Sequence, residues 1–329
     1  MSTAQLSAVA LGPRYDAHRL RAELDALGHR RFSPQRTFDR SGPAEETGSD
    51  WRVLSLRSQG GDPRRTDPGG PGLTGYADTP LLAEAPYMAS ILAGIPADLR
   101  TARLMALGPG ASVDEHRDYP YGLPAGWVRL HVPVVTNPGA VLVIDGVEHR
   151  WQPGELWYGD FSRPHRVYNT GETRRVHLVI DCFVGSALLD MFPEEFRRRV
   201  RWSEVLFEKP ELPLTPDEAA EMECSIGVPA SFLDGDSLEA FTARWTLDRR
   251  AGLYAADGRL VLDVADGPSM TLVHIGEGEF RLLGWTTERT IKIDLSGRVP
   301  QARFRMRYGT GLAETVRAAT PTQQRRQAS

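Results

Sequence analysis

In "SVDEHRDYPYG", residues 112–122, an imidazole and a carboxylate stand two positions apart as His116 and Asp118. The tripeptide HRD also opens the catalytic loop of protein kinases, in which an Asn further on holds a metal. Here Leu123 occupies the Asn position, no DFG follows, and no Gly-rich loop precedes a V-A-I-K lysine, so kinase chemistry is excluded. On a strand, residues i and i+2 point to the same face. His116 and Asp118 then face inward together, and Arg117 faces away. An imidazole and a carboxylate on one face are two thirds of the 2-His-1-carboxylate set that holds non-haem Fe(II) with open coordination positions.

The missing ligand is expected to be another histidine, and the chain has eight histidines in all. His18 and His29 fall in an N-terminal helical stretch, His149 follows a hairpin turn, and His274 lies far along the chain. His131, His165 and His177 fall in strand-like segments and remain open as inward-facing candidates. His165 is favoured because Arg175 follows one strand length later, in "RRVHLVID". An open Fe(II) site needs a cosubstrate to supply electrons for O2. The usual one, 2-oxoglutarate, carries a distal carboxylate that suits the planar fork of an arginine.

These residues sit in a chain of ordinary composition. Of 329 residues, 41% are hydrophobic and 25% charged, enough for a sizeable core in one large domain or two moderate ones. The formal net charge of −4, with both signs interspersed, gives no electrostatic case for nucleic acid or an anionic membrane. The basic run "FRRRVRWSE" (196–204) alternates with apolar residues and reads as the solvated face of a helix. Two cysteines cannot form a disulfide framework, and Cys182 reads as a small core residue. The N-terminus lacks a basic stretch followed by a long apolar one, and no run approaches 18 apolar residues. The expectation is a soluble, cytoplasmic protein.

The elements that must position the site are mostly strands. Leu20, Leu24 and Leu27 mark an amphipathic helix that Gly28 ends. "WRVLSLRS" (51–58) is a strand, "QGGDPRRTDPGGPGLTG" (59–75) is a long irregular loop of the kind used as lids or binding loops, and a short helix starts near Pro86. From 101 to about 185 short strands follow closely without intervening helices, one pair joined by Asp145-Gly146. That pattern indicates an antiparallel sandwich or barrel. Beyond 185 the pattern turns helical, then β-rich again from about 238 to 308. The expected division is 1–185, 186–318 as a smaller α+β accessory domain, and a disordered tail at 319–329.

"HRD", "VRLHVPVVTN", "PGELWYGDFSRPHRVYN" and "RRVHLVID", in this order and spacing, resemble the aspartyl/asparaginyl β-hydroxylase superfamily, and among its members the bacterial cis-type proline hydroxylases. "DWRVLSLRS", "LTGYADTPLL" and "ARLMALGPG" extend the resemblance to residues 10–185. It implies a double-stranded β-helix of the jelly-roll or cupin kind, mainly β with N-terminal helices. It implies an Fe(II)/2-oxoglutarate dioxygenase that uses O2. His116, Asp118 and His165 would hold the iron, Arg175 would bind the distal carboxylate of 2-oxoglutarate, and His131 would contact the same cosubstrate. Arg103 and Arg129 match arginines that hold a substrate carboxylate in the proline hydroxylases. Tyr119 and Tyr121 stand at the mouth, and Asn169 and Trp157 would support the site from behind. Asp118 departs from the mammalian membrane-bound members, which lack the metal-binding Asp.

The implied activity is hydroxylation of an unactivated C–H bond of an amino acid, proline-like, or of such a residue in a peptide or on a carrier, in specialised metabolism. No nucleic-acid or membrane partner is expected, and the C-terminal segment could dock a peptide or form a homodimer. The competing readings are a non-catalytic cupin-like metal- or ligand-binding protein and a metal enzyme of the same barrel that needs no cosubstrate.

Overall fold

The computed structural model describes residues 7–28, 32–35, 38–39, 42–43, 49–118, 121–234, 238–242 and 247–322. Tyr119, His29 and the tail from 323 onward lie outside the described residues. The chain divides into two compact units, one of residues 1–69 and 76–207 and one of 70–75 and 208–329.

The first unit is a double-stranded β-helix. Its larger antiparallel sheet runs in the order Ala8–Arg14, Glu155–Gly159, Trp127–Val135, Arg175–Phe183, Leu99–Leu107, Trp51–Gln59 and Ser33–Pro34, with Tyr76–Asp78 pairing to Trp51–Gln59. The smaller sheet runs Val147–His149, Ala140–Ile144, His165–Asn169 and Ser112–His116. Between Ala140–Ile144 and Val147–His149 the turn residues Asp145 and Gly146 take φ of 53° and 78°, the left-handed pair a tight hairpin requires. This hairpin also secures the approach to His165, because the Asp145 amide donates to the Pro164 carbonyl and Ile144 pairs with His165.

Three neighbouring strands of the larger sheet are buried on both faces, and their side chains divide by parity. Ala102, Leu104 and Ala106, then Val128, Leu130 and Val132, then Val176, Leu178, Ile180 and Cys182 join one apolar core. The helices Ala17–Leu27 and Pro86–Ala93 cover that face with Leu20, Leu24, Leu27, Met88, Ile91 and Leu92. The alternate residues point the other way. They include Thr101 and Arg103, Arg129 and His131, and Arg175, His177 and Asp181, all on the side where a second, smaller apolar cluster of Leu142, Ile144, Trp151 and Phe161 is capped by Ala8, Trp157 and Val167.

The boundary expected at 186 is displaced. Leu188, Leu189, Phe192, Phe196 and Val200 belong to the core of the first unit, so the helices Ser186–Asp190 and Glu194–Arg199 complete it. The basic run is the outer face of the second helix, with Arg198 and Arg199 paired to Glu194 and Glu195. The first unit is also not contiguous, since residues 70–75 of the Gly/Pro-rich loop pack with the second. There the Gly72 carbonyl accepts from the Thr271 amide at 3.0 Å.

The accessory segment is a closed eight-stranded antiparallel barrel whose helices are only short pieces, not a separate helical half. Leu260, Leu262, Leu272, Phe280, Phe304 and Met306 fill its interior, as expected for a barrel of this strand number. Its last strand runs on through Ala319 to Pro321, which pair with Ile226 and Cys224 to close the ring. Residues 319–321 are therefore structural rather than tail. Among the described residues no helix is long and apolar enough to cross a membrane.

Phe196 tests the shifted boundary. It is 1% exposed and packs edge-on against Tyr158 at 5.5 Å between ring centres. Phe196→Ala should destabilise the first unit by about 3–5 kcal/mol in denaturant unfolding; a loss below about 1 kcal/mol would place the helix outside this core.

Candidate active site

Adjacent strands of the smaller sheet bring the histidines together, His165 pairing directly with His116. Their ring centres are 4.2 Å apart. Asp118 lies just past the strand, its amide bonded to the Phe161 carbonyl at 2.9 Å. Asp118 Oδ1 is 3.5 Å from His116 Nε2 and 3.9 Å from His165 Nε2. Ligand atoms of the three residues all fall within 4.8 Å of one another.

The backbone sets both imidazoles for metal binding. His116 Nδ1 faces the Asp114 carbonyl at 2.8 Å, and His165 Nδ1 faces the Arg163 carbonyl at 2.9 Å. A carbonyl only accepts, so each Nδ1 carries a proton, and in the neutral ring Nε2 is left with the lone pair that a metal would take. Burial lowers the His165 imidazole from its ordinary value, which favours the neutral, ligating form. His116 is raised, chiefly by its hydrogen bond to Asp118. Burial alone would raise the Asp118 carboxyl, but Arg129 and the two imidazoles outweigh it and hold it at about 2. Two imidazoles and one carboxylate form a facial set suited to Fe(II).

Behind Asp118 lies a buried ion network. Arg129 Nη1 donates to Asp118 Oδ2, leaving Oδ1 toward the histidines. Arg129 Nε donates to Asp181 at 2.7 Å, and Arg129 Nη2 donates to the Tyr121 hydroxyl at 2.8 Å. Arg103 Nη2 and the Thr101 hydroxyl reach the other oxygen of Asp181 at 2.9 and 2.8 Å. Asp181 faces Arg129 across the strand pair, so the sheet register itself places the anion. The two guanidinium groups hold the Asp181 carboxyl well below the usual range, against the opposing effect of burial. Burial pushes the Tyr121 phenol up to about 12.

This network changes the expectation for Arg103. It is 1% exposed and donates to Asp181 and the Thr66 carbonyl, so it acts through Asp181 rather than facing the mouth. Arg129 is also committed, to two carboxylates and a phenol. Asn169 bonds the Leu107, Gly108 and Thr173 carbonyls and so ties strand ends together at the far end of its own strand. Trp157 donates to Glu155 at 2.8 Å and stacks on Trp151 at 5.2 Å. Trp151 in turn meets His131 edge-on at 5.3 Å.

The remaining residues expected at the site, Arg175 and His131, lie on the larger sheet. Arg175 is 7% exposed, and its Nη2 lies 2.9 Å from His177 Nδ1. Its neighbour Arg174 pairs with Asp50 at 3.1 Å, whereas among the described residues no carboxylate pairs with Arg175. Burial, with no acidic neighbour opposing it, pushes the Arg175 guanidinium down to about 9, still protonated at neutral pH. His131 is 5% exposed and stacks on Phe161 at 5.0 Å, and Phe161 meets His165 edge-on at 4.9 Å. Asp181, Trp151 and Phe161 were not singled out from the sequence, and His177 was weighed there only as an inward-facing ligand candidate. The usable signal was polar residues at every second position within otherwise apolar strands, "RTARL", "VRLHV" and "RVHLVID".

His116→Ala or His165→Ala should abolish stoichiometric binding of a divalent transition metal in equilibrium dialysis; retention of near-full occupancy would remove that residue from the ligand set. Asp181→Asn leaves two buried guanidinium groups short of an anion, and should cost about 3–5 kcal/mol in urea unfolding.

The family model described as aspartyl/asparaginyl β-hydroxylase matches residues 15–184, just over half of the chain. L-proline cis-4-hydroxylase of Rhizobium meliloti (strain 1021) is 31% identical over 124 residues, 37% of this chain and 42% of that protein. The chain thus spans about two fifths of the length of this curated relative. Among solved structures, a prolyl hydroxylase from Trichoplax adhaerens in complex with a hypoxia inducible factor peptide aligns at a TM-score of 0.37 and 12% identity, over 57% of this chain and 88% of that one. A Pseudomonas putida prolyl-4-hydroxylase aligns at a TM-score of 0.33 and 19% identity, over 54% and 94%. Similarity that low carries no functional weight. From the family match, the chain belongs to the aspartyl/asparaginyl β-hydroxylase family.

Proposed function

We propose that this protein is an Fe(II)/2-oxoglutarate-dependent dioxygenase that hydroxylates an amino acid or amino-acid residue. The observation that carries the reading is Arg175, a buried cation without a carboxylate partner among the described residues, on the same inner face as a facial metal-binding set. A buried charge left unpaired is costly, and a fixed ligand carboxylate relieves that cost. His116, Asp118 and His165 would hold iron, and Arg175 would hold the distal carboxylate of 2-oxoglutarate. Iron held there, with 2-oxoglutarate and O2, would supply the oxidant that converts a substrate C–H to C–OH, releasing succinate and CO2.

The chain's own part is placement and shielding. Arg129 holds the outer oxygen of Asp118, so the carboxylate offers one oxygen to the metal. Phe161 and Trp151 pack against His131, and apolar rings there would help shield a reacting centre from water. The Arg129 guanidinium lies over the buried Tyr121 ring, 4.5 Å from its centre. The substrate class is an amino acid with a free carboxylate, proline-like in view of the Rhizobium relative, with any direct hold by Arg129 limited to the donor that Asp118, Asp181 and Tyr121 leave. A peptide or carrier-bound residue is the second form, and the barrel of residues 208–322 is then the candidate docking or pairing element.

Anaerobic addition of Fe(II) and 2-oxoglutarate should give a weak visible charge-transfer band, and a screen of amino acids and short peptides should find one that stimulates succinate release. Absence of both would overturn the proposal in favour of a binding protein; turnover without 2-oxoglutarate would favour a cosubstrate-independent enzyme. Arg175→Gln should raise the 2-oxoglutarate Kd by about 30- to 1,000-fold, the equivalent of about 2–4 kcal/mol, while leaving metal occupancy intact.

A further inference from the structure

His131 and His177 face each other between Arg175 and the metal-binding set. Their Nδ1 atoms are 3.2 Å apart, a distance that requires one proton between them. Arg175 Nη2 lies 2.9 Å from the same His177 Nδ1. A guanidinium only donates, so His177 Nδ1 is a lone pair shared by two donors. The proton between the rings therefore belongs to His131 Nδ1. A neutral imidazole has one N–H, which leaves His131 Nε2 as a lone pair as well. That atom is buried and has no hydrogen-bond partner among the described residues.

This is the wrong polarity for a pocket that receives a dianion. Carboxylate oxygens only accept, and two facing lone pairs repel. The surroundings explain why the ring is neutral. His131 is buried, and Arg175 and Arg129 add positive charge that Asp181 offsets only in part, with His165 acting in the same sense as the arginines. His177, the other titratable group against it, is held neutral by burial and by Arg175. Trp151 and Phe161 carry no charge and meet His131 through ring contacts, and the buried Trp151 indole N–H has no hydrogen-bond partner among the described residues. A ligand carboxylate on Arg175 cancels the nearest of these positive charges and supplies the acceptor that a protonated Nε2 needs.

We propose that His131 takes up one proton at Nε2 when 2-oxoglutarate binds, so that the pocket binds the dianion together with a proton. The proton comes from solvent, no covalent bond is made or broken in the ligand, and the imidazolium joins Arg175 as the second cation for the second negative charge. The inference rests on the proposed cosubstrate. It also assigns His177 a positioning role, since it orients Arg175 and fixes which nitrogen of His131 is bare.

The test is calorimetric titration of 2-oxoglutarate into the anaerobic Fe(II)-loaded full chain, in buffers of different ionisation enthalpy near pH 7.5. The expected result is uptake approaching one proton per ligand bound, and a Kd that rises by up to tenfold per pH unit above neutrality. His131→Gln, whose amide can donate without titrating, should bind with the uptake abolished and the pH slope flattened. Tight binding by the native protein with no proton uptake and no pH slope overturns the inference while leaving the cosubstrate reading intact, as does uptake unchanged in His131→Gln. Absence of any 2-oxoglutarate binding, by heat and by the charge-transfer band alike, refutes the cosubstrate reading and this inference with it. The pH slope of the native protein decides the matter even where the variant does not fold.

Discussion

Two guanidinium groups on the inner face of a covered sheet need an anion, and Asp181 is that anion. It is 0% exposed and lies between Arg103 and Arg129, with the Thr101 hydroxyl on the oxygen it shares with Arg103. Burying any one of these charges alone would cost several kcal/mol, so the group is stable only as a set. Its effect reaches the metal-binding residues through Arg129, which spans from Asp181 to the outer oxygen of Asp118. A carboxylate held at one oxygen offers the other in a defined direction. The geometry at Asp118, at the edge of one sheet, is thus secured by a residue in the middle of the other.

The same inner face carries a second cation treated in the opposite way. Arg175 has a histidine beside it and no carboxylate among the described residues. Arg103 and Arg129 are paired internally with Asp181, whereas Arg175 has no carboxylate partner among the described residues, and the proposed cosubstrate role rests on that difference. The contrast is one of charge pairing and not of motif, since all three arginines lie at alternate positions of apolar strands. His177 already holds the Arg175 guanidinium, so any ligand there would cost little further side-chain freedom.

Aromatic packing joins the two halves. Phe161 touches both His131 and His165, and Gly159 is what allows it to lie there, since a Cβ at position 159 would stand 2.7 Å from the Phe161 ring. Trp151 and Trp157 stack behind His131. These rings surround His131 with low-polarity neighbours, among which the few polar atoms present interact more strongly than they would in water.

The sequence by itself carried the local parts. The H-x-D spacing marked His116 and Asp118 as a pair, although Asp118 lies past the strand end; the Asp145-Gly146 pair marked a hairpin, and the leucines at 20, 24 and 27 marked a helix, because each depends on residues a few positions apart. Order and spacing of blocks across residues 10–185 were enough for the family and the β-helix. What depended on sheet register was not legible. Asp181 meets Arg129 only because the strands pair as they do, and Arg103 turns from an expected substrate contact into a buried partner for the same reason. The helices after 185 join the first core, and residues 70–75 leave it, because burial is decided by which apolar face is near and not by position along the chain. The tautomers of His131 and His177 are the clearest case: a single Arg175 N–H directed at one ring nitrogen sets both, and only the folded chain brings those three side chains together.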